Sequence, residues 1–359
     1  MIMITLFGLA LTPLVIKMQK ARQQQRAVAW VLEHGGTVEY QLDDSEKLNP
    51  FGAPNTFRFS SESAEKSPPD TPPFSDPFGG TSADPPPHEK SWAENILGTD
   101  FYYHVVQVSL GGSKLNEISP LSQLIHLKSV DLTGTSVRDF SSLRTLKKLE
   151  SLDLSRCKTK DYSSLSQLEN IKSIDLGSSK ITDLAPLSNL RKLESLNLTG
   201  SNVRDLSPLM TLDNLSSLQL SSSKVENLNP LAKLNRLGQL TLNDTKVSDL
   251  SPISGLQNLG YLSLSGSAVT DLGPLKKLDG LQTIELEDTD VADLSPLSSL
   301  FRLEQLNLTG TKVVDLTPLH GLDELWRIDL YETKITQEEV DRLKAALNQN
   351  CVIGLSQLP

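Results

Sequence analysis

One pattern recurs every 22 residues through most of this 359-residue chain. Over residues 193–215 it reads LESLNLTGSNVRDLSPLMTLDNL, with apolar residues at positions 1, 4, 6, 11, 14, 17 and 20. Self-similarity at such a period is typical of a solenoid, in which each coil buries its apolar layer against its neighbours. Coils begin at Val105, Leu127, Leu149, Ile171, Leu193, Leu215, Leu237, Leu259, Leu281, Leu303 and Leu325.

Every coil predicts the same local structures in the same order. Leu193, Leu196 and Leu198 alternate as in a strand and point into the core, so the residues between them line a concave face. Positions 13 to 17 read Asp-Leu-Ser-Pro-Leu or close variants, and Ser before Pro favours a helix start with Ser as the N-cap. Only about five residues follow, enough for one 3₁₀ or α turn. We therefore predict an α/β solenoid with a parallel sheet on its concave face and short 3₁₀ or helical turns on its convex face.

Position 9 carries a small side chain in each of these coils, almost always a hydroxyl. We predict a structural ladder, in which each side chain pairs with backbone groups where the strand turns. Cys157 takes the place of a hydroxyl in this ladder, and no His or acid is placed to activate it as a nucleophile. The ladder comprises Thr135, Cys157, Ser179, Ser201, Ser223, Thr245, Ser267, Thr289, Thr311 and Thr333.

The repeat LxxLxLxxTxVxDLxPLxxLxxL resembles the leucine-rich repeat of the bacterial internalin type. The resemblance extends from Val105 to about Leu347 and implies the leucine-rich repeat fold. The chain differs from that family in carrying Thr or Ser at position 9, where the family usually has Asn. The layout is also similar to membrane-anchored bacterial leucine-rich repeat proteins, in which a basic helix, a GGxVxY segment and a linker precede the repeats.

Charge and cysteine usage narrow the possible partners and linkages. The net charge of −10 argues against nucleic acid, because phosphate binding requires a clustered basic face. Cys157 and Cys351 are too few for a disulfide framework. Strands in a parallel sheet lie about 4.8 Å apart, so these two residues should be separated by on the order of 40 Å, which excludes a bond between them.

The first 16 residues, MIMITLFGLALTPLVI, carry no charged side chain. As a helix they would span about 24 Å, slightly less than a hydrocarbon core of about 30 Å, and Lys17 could extend the span by snorkelling. A cleaved signal peptide is the alternative, but the run lacks a basic n-region. We therefore interpret residues 1–16 as the anchor of a single-pass membrane protein.

Basic residues dominate the segment that follows the apolar run. The segment contains one nearby acid, Glu33, and four basic residues, Lys17, Lys20, Arg22 and Arg26. The positive-inside rule would place this flank, and the repeats after it, in the cytoplasm. We assign residues 17–42 to a basic juxtamembrane helix and a short strand.

The remaining segments lie around the repeats. Residues 43–90 are rich in Pro and acidic residues, which predicts a disordered linker. Residues 91–104 regain aromatic residues, and we expect them to cap the first coil, although an aromatic binding patch is the alternative. The coils occupy residues 105–346, and residues 336–359 form a C-terminal cap that begins with a capping box at Thr336 and Glu339. The candidate N-terminal lid consists of Trp92, Ile96, Leu97 and Phe101.

Concave positions differ between the two halves of the repeat array. Asp131, Asp153 and Asp175 form a column, but calcium needs about six to eight converging oxygens, so we interpret them as a solvated polar face. The C-terminal half carries Tyr, Trp and Arg, the residue types that dominate interface hot spots. We hypothesise a protein-binding patch there, with the alternative that its aromatic residues only finish the last coil. The candidates are Tyr261, Glu285, Glu287, Trp326, Arg327 and Tyr331, with Asp288 and Asp329 beside them.

Catalysis finds no support in the sequence. His34, His88, His104, His126 and His320 show no metal-ligand or triad spacing, and no phosphate-binding glycine loop is present. We therefore expect a non-enzyme without cofactors that is tethered to a membrane and binds a protein or peptide through its concave face. The alternative is a sensor of a peptide or carbohydrate that acts with a membrane partner. The oligomeric state does not follow from the sequence.

Overall fold

The computed structural model describes residues 2–42, 56–60, 103–347 and 351–355. The chain divides into two compact units, residues 1–152 and 153–359. The helices are α1 (Ile2–Glu33) and α2 (Gln337–Ala346). The strands are β1 (Thr37–Leu42), β2 (Thr56–Ser60), β3 (Tyr103–Ser109), β4 (Ser129–Asp131), β5 (Ser151–Asp153), β6 (Ser173–Asp175), β7 (Ser195–Asn197), β8 (Ser217–Gln219), β9 (Gln239–Thr241), β10 (Tyr261–Ser263), β11 (Thr283–Glu285), β12 (Gln305–Asn307), β13 (Arg327–Asp329) and β14 (Val352–Gly354).

The second unit is a ladder of parallel strands in chain order. From β6 to β13 each strand pairs with the next in register, one coil apart, as in the pairs Leu196 with Leu218 and Leu306 with Ile328, and β14 pairs with β13 at the end. The middle residue of each strand from β6 to β13 is buried, whereas its neighbours line the opposite face of the sheet. Single 3₁₀ turns such as Ser207–Leu209 return the chain to the next strand. The predicted solenoid with short 3₁₀ turns is confirmed.

The turns begin differently from the prediction. The Ser before Pro is the first residue of the 3₁₀ turn, and no N-cap side chain bonds to the backbone there. Instead the carboxylate two residues earlier accepts the backbone N–H, as Asp205 Oδ1 does from Ser207 at 2.8 Å. The same bond recurs at Asp139, Asp161, Asp183, Asn227, Asp249, Asp271, Asp293 and Asp315. An Asp, or Asn227 in one coil, therefore starts each of these turns from position 13 as an Asx turn.

The position-9 side chains lie in the core and bond to the backbone in two ways. Thr245, Thr289, Thr311 and Thr333 donate through Oγ1 to the carbonyl three residues earlier, at 2.6 to 2.8 Å. The hydroxyls of Ser179, Ser201 and Ser223 instead accept the N–H two residues later, at 3.4 to 3.5 Å. Cys157 and Thr135 are buried at the same position. The buried hydroxyl of Ser267 has no hydrogen-bond partner among the described residues.

Position 8 adopts the left-handed conformation in each coil. Here the φ angle is positive, between 53° at Asp288 and 75° at Gly112. Gly occupies the position in some coils, whereas others place a residue with a Cβ there, where the left-handed region is disfavoured. Nothing in the repeat pattern pointed to this turn, because Gly occupies position 8 in only some of the coils. The residues are Gly112, Gly134, Arg156, Ser178, Gly200, Ser222, Asp244, Gly266, Asp288, Gly310 and Glu332.

The first unit extends the repeat with elements from the N-terminal segment. Strand β3 pairs in parallel with β4, and on its other side pairs with β1 in antiparallel fashion. Strand β1 in turn pairs with β2, which lies inside the stretch that the sequence predicted to be disordered. Helix α1 packs its C-terminal half on this layer through buried Val28 and Val31. Gln24 fixes the helix by donating to Tyr103 O at 2.9 Å and accepting from Val105 N at 3.3 Å.

The N-terminal cover of the first coil is thus built by α1 and β1. Gly36 lies between them in a position where a Cβ would come within 2.6 Å of Leu110 Cδ2 and 2.7 Å of Val31 Cγ1. The predicted lid of Trp92, Ile96, Leu97 and Phe101 lies outside the described residues. Residues 17–42, interpreted as a juxtamembrane segment, instead supply apolar core such as Val38 and Tyr40.

The prediction of a single-pass membrane protein is wrong. Residues 2–16 belong to a helix that continues without a break through Lys17, Lys20, Arg22 and Arg26 to Glu33. Among the described residues, no helix combines the length and apolar character needed to cross a bilayer. The membrane anchor at residues 1–16, and the cytoplasmic placement of the repeats that was derived from it, are therefore withdrawn.

Helix α2 closes the described C-terminal end of the repeats. Thr336 Oγ1 accepts the Glu339 N–H at 3.3 Å, which is one half of the predicted capping box. Glu339 Oε2 accepts from Leu316 N at 3.3 Å and ties the helix to the preceding coil. Buried Val340 and Leu343 cover the apolar layer of that coil, and β14 then adds a strand beside β13.

Candidate functional site

The concave face near the C-terminal end is organised in columns that run across strands β10 to β14. The first residues of these strands form one column, which contains Tyr261, Thr283, Gln305, Arg327 and Val352. The third residues form a second column, which contains Ser263, Glu285, Asn307, Asp329 and Gly354. Glu287 and Tyr331 lie beyond the strand ends at position 7, and Trp326 precedes β13 at position 2.

Trp326 and Tyr331 are the large exposed aromatic residues of this face. Their exposed fractions are 43% and 42%, and Val352 on the neighbouring strand is 59% exposed. Val352 N donates to Trp326 O at 2.7 Å, so the backbone of the last strand is tied to the Trp326 position. Tyr261 lies three strands from β13, which at the usual strand spacing is about 14 Å. The structure therefore places Tyr261 at the margin of the group.

Tyr331 contacts the strand that follows the last coil. Its ring lies over Gly354 of β14, where an added Cβ would stand 2.7 Å from Tyr331 Cε2 and 2.9 Å from Cζ. The same Cβ would lie 2.5 Å from Asp329 Oδ1. Gly354 is therefore required for the ring to pack against the strand, and the rest of the ring stays exposed.

Arg327 and Asp329 form an ion pair on β13. Arg327 Nε donates to Asp329 Oδ2 at 2.9 Å, and Nη2 lies 3.5 Å from Oδ1. This hydrogen bond and the charge of Asp329 raise the pKa of the Arg327 guanidinium. The guanidinium is exposed, whereas Asp329 is half-buried. Arg327 is thus held along its own strand and presents one face to solvent.

Glu285 and Glu287 lie beside this pair and share an amide. Asn307 Nδ2 donates to Glu287 Oε2 at 3.4 Å, and the Asn307 side chain also bonds to Glu285. Burial raises the pKa of the Glu285 carboxyl, and the charges of Asp329 and Glu287 raise it further, although Asn307 and Arg327 oppose the shift. Asp288 occupies the left-handed position 8 and is exposed.

The aspartate column of the N-terminal half has a structural task. Asp131 Oδ1 accepts the Thr133 N–H at 2.9 Å, and Asp153 and Asp175 make the same bond two residues on, at 2.8 and 2.7 Å. Burial would raise the pKa of Asp131, but hydrogen bonds from Ser109 and Thr133 outweigh it and the pKa is lowered. These half-buried carboxylates therefore stabilise the turn after the strand by accepting a backbone N–H. The interpretation of the column as a solvated polar face did not include this role.

Two histidines that the sequence analysis considered scattered come together in the first unit. The rings of His104 and His126 stack with centroids 3.6 Å apart and an angle of 3° between their planes. Lys148 Nζ lies 3.0 Å from His126 Nδ1. Their spacing of 22 residues, one coil, was the signal for this contact. In the described parts of the chain, no three His, Cys, Asp or Glu side chains are grouped so that they could hold a metal ion.

Comparisons with known proteins agree with the fold. Neither a protein-family model nor a curated protein matches the chain. The structure is similar to that of an internalin from Listeria monocytogenes, with 27% identity and a TM-score of 0.61 over 70% of this chain and 82% of that one. A second Listeria internalin, C2, matches at 27% identity and a TM-score of 0.36 over 65% of this chain and 81% of that one. A leucine-rich repeat protein from Leptospira interrogans matches at 18% identity and a TM-score of 0.46, over 66% of this chain and 74% of that one.

Proposed function

We propose that this chain is a non-catalytic recognition protein that binds a protein or peptide through the C-terminal part of its concave face. The observation that carries the proposal is the pair Trp326 and Tyr331, which stay about two-fifths exposed on a rigid sheet. Trp, Tyr and Arg are enriched among the residues that dominate binding energy, and here they lie together on one face of the sheet. Arg327 lies between the two rings in sequence and adds a planar donor.

The scaffold supports this use. The parallel ladder fixes the side chains of neighbouring coils at regular spacing, so the patch is preorganised and a partner would cost it little conformational entropy. Solenoids of this kind use their concave surfaces for extended contacts. The similarity to an internalin structure is consistent with a role in recognition. Glu285 and Glu287 would form the near margin of the contact surface and Tyr261 the far one.

Peptide display with the full chain as target tests the proposal. We expect a random peptide library to yield binders whose affinity falls about tenfold or more when Trp326 and Tyr331 are replaced by Ala, because a truncated hot-spot residue costs about 2 kcal/mol. Phe301→Ala is the matched control, since Phe301 is 63% exposed but lies outside the concave strands. Affinity is measured by fluorescence anisotropy.

Two results would count against the proposal. Selected peptides that bind wild-type chain and the double Ala variant equally would show that the rings are not the contact. Peptides that lose as much affinity with Phe301→Ala would show nonspecific adhesion to exposed aromatic residues. Unfolding midpoints of all variants are compared first, so that a loss of binding is not a loss of folding.

A further inference from the structure

We propose that the partner presents a cationic segment, in which Lys or Arg side chains meet the carboxylates of Glu285 and Glu287 while neighbouring side chains of the segment pack on Trp326 and Tyr331. The inference rests on the proposed function, and it adds the chemical class of the partner. The surface concerned is termed the C-terminal concave patch and consists of Trp326, Arg327, Asp329, Tyr331, Val352, Glu285, Glu287 and Glu304.

The patch carries excess negative charge. Glu285, Glu287 and Glu304 lie on neighbouring strands or directly beside them. They bond to side-chain amides: Asn307 bonds to the first two, and Gln282 Nε2 donates to Glu304 Oε1 at 3.1 Å. Among the described residues, none of the three carboxylates forms an ion pair with Lys, Arg or His, so negative charge is left over on the face.

The cation on the neighbouring strand β13, Arg327, is already paired with a carboxylate. Arg327 pairs with Asp329 at 2.9 Å, and this pair points along β13. A neutral ion pair adds little net field, so the uncompensated charge of Glu285 and Glu287 persists beside it. Their mutual proximity contributes to the upward pKa shift of Glu285, after the larger effect of burial. A bound cation would relieve this repulsion.

The patch also carries aromatic surface, on β13 two strands from the acids of β11. Trp326 and Tyr331 present partly exposed rings, and Val352 beside them is 59% exposed. A segment rich in Lys or Arg satisfies both features, because its charged groups meet the carboxylates while its aliphatic stems and apolar residues pack on the rings. Stacking of the cation on an aromatic ring adds a favourable electrostatic contribution. An anionic or purely apolar segment would leave the carboxylates either repelled or desolvated without a partner.

Labelled peptides of about ten residues test the proposal with the full chain, a length that spans on the order of 30 Å when extended. One peptide alternates Arg and Leu with Ser, a second replaces each Arg with uncharged citrulline of the same shape, and a third replaces Arg with Glu. We expect the Arg peptide to bind at least tenfold more tightly than the citrulline peptide at low salt. The difference should shrink as salt screens the charges.

Variants locate the charge that is responsible. The double change Glu285→Gln and Glu287→Gln should weaken binding of the Arg peptide about tenfold and leave the citrulline peptide unchanged, because Gln preserves shape and removes charge. The control double change Glu169→Gln and Asp213→Asn removes the same charge from exposed positions outside the strands and should have little effect. Binding should also weaken as the pH falls through the pKa of Glu285, which lies above 4.5.

The outcomes separate this inference from the proposed function. Equal binding of Arg and citrulline peptides, or equal losses from the two double variants, would overturn the cationic partner. If display nevertheless selects uncharged peptides that need Trp326 and Tyr331, the recognition surface stands and only its charge preference is wrong. If no selected peptide depends on those rings, both proposals fail.

Discussion

At the scale of single residues, the left-handed position 8 constrains each coil most tightly. It lies three residues after the end of the strand and turns the chain toward the position-9 side chain, and the sequence places Gly there in some coils and a residue with a Cβ in others. Where position 8 is an Asp in one coil and Gly in the next, the carboxylate lies over that glycine. Asp244 Oδ1 covers Gly266 in this way, at 2.6 Å from the place where a Cβ would stand.

Gly266→Ala should therefore destabilise the protein by about 1–2 kcal/mol, because the left-handed conformation disfavours any Cβ and the Asp244 carboxylate would have to move aside. Gly255→Ala is the matched control, since Gly255 has open space around its Cα and no positive φ. The control should be neutral or stabilise slightly through the unfolded chain. Urea unfolding of the three proteins measures the difference, and equal midpoints for both variants would contradict the argument.

At the scale of the element, the 3₁₀ turns depend on the Asp at position 13. The motif Asp-Leu-Ser-Pro-Leu correctly indicated a short turn, because the fixed φ angle of Pro favours the first turn of a helix. The capping group was assigned wrongly to Ser, since both Ser and Asp are favoured at such starts and their roles depend on the exact phase of the turn. Asp205 and its equivalents, and not the serines, accept the backbone N–H.

Asp205→Ala should lower the melting temperature at neutral pH, with a penalty that disappears in acid. Hydrogen bonds from the side chain and backbone of Ser207 lower the pKa of Asp205 below its usual value of 3.8. A lowered folded-state pKa means that the stabilisation is present above about pH 4 and is lost as the pH falls through the folded-state value. Asp213→Ala, at an exposed position outside the turn, is the control. A penalty that stays constant from pH 7 to about pH 2 would contradict the carboxylate role.

The core of the repeats could be predicted from the sequence, because each coil carries its own apolar pattern. Leu196, Leu206 and Leu212 recur with a fixed period, and each is buried where the pattern predicts. For the candidate site, the sequence predicted only which residues lie at equivalent positions of neighbouring coils. It did not predict which side chains contact one another, because the repeat period does not determine side-chain contacts. The ring of Tyr331 on Gly354, for example, depends on a strand that lies outside the repeat.

At the scale of the whole molecule, the cover of the first coil shows where sequence reasoning fails. Gln24 bonds to Tyr103 and Val105 across about 80 residues, and no periodicity links these segments. The apolar start of the chain suggested a membrane anchor, and this interpretation moved attention away from Val28 and Val31, which are buried in the first unit.

Val31→Ala should destabilise this cover by about 2 kcal/mol, because it leaves a cavity in a fully buried layer. Hydrogen exchange should then accelerate in β1, β3 and β4, since a solenoid frays from an end that has lost its cover. The control is Val314→Ala, where the side chain is exposed. Unchanged exchange in β3 and β4 would show that α1 contributes nothing to the stability of the first coil.

The alternation at position 8 also bears on how such an array could change its length. From Asp244 to Glu332 the position reads acid, Gly, acid, Gly, acid. Loss of one coil with Gly at position 8, or gain of one with an acid there, would place two acids on adjacent layers and leave one carboxylate without the glycine on which it rests. Loss of an acid coil, or gain of a Gly coil, would place two glycines on adjacent layers. Loss or gain of two coils would preserve the order. In this region a pair of coils can therefore be duplicated or deleted without further substitutions at position 8, although the structural repeat is a single coil.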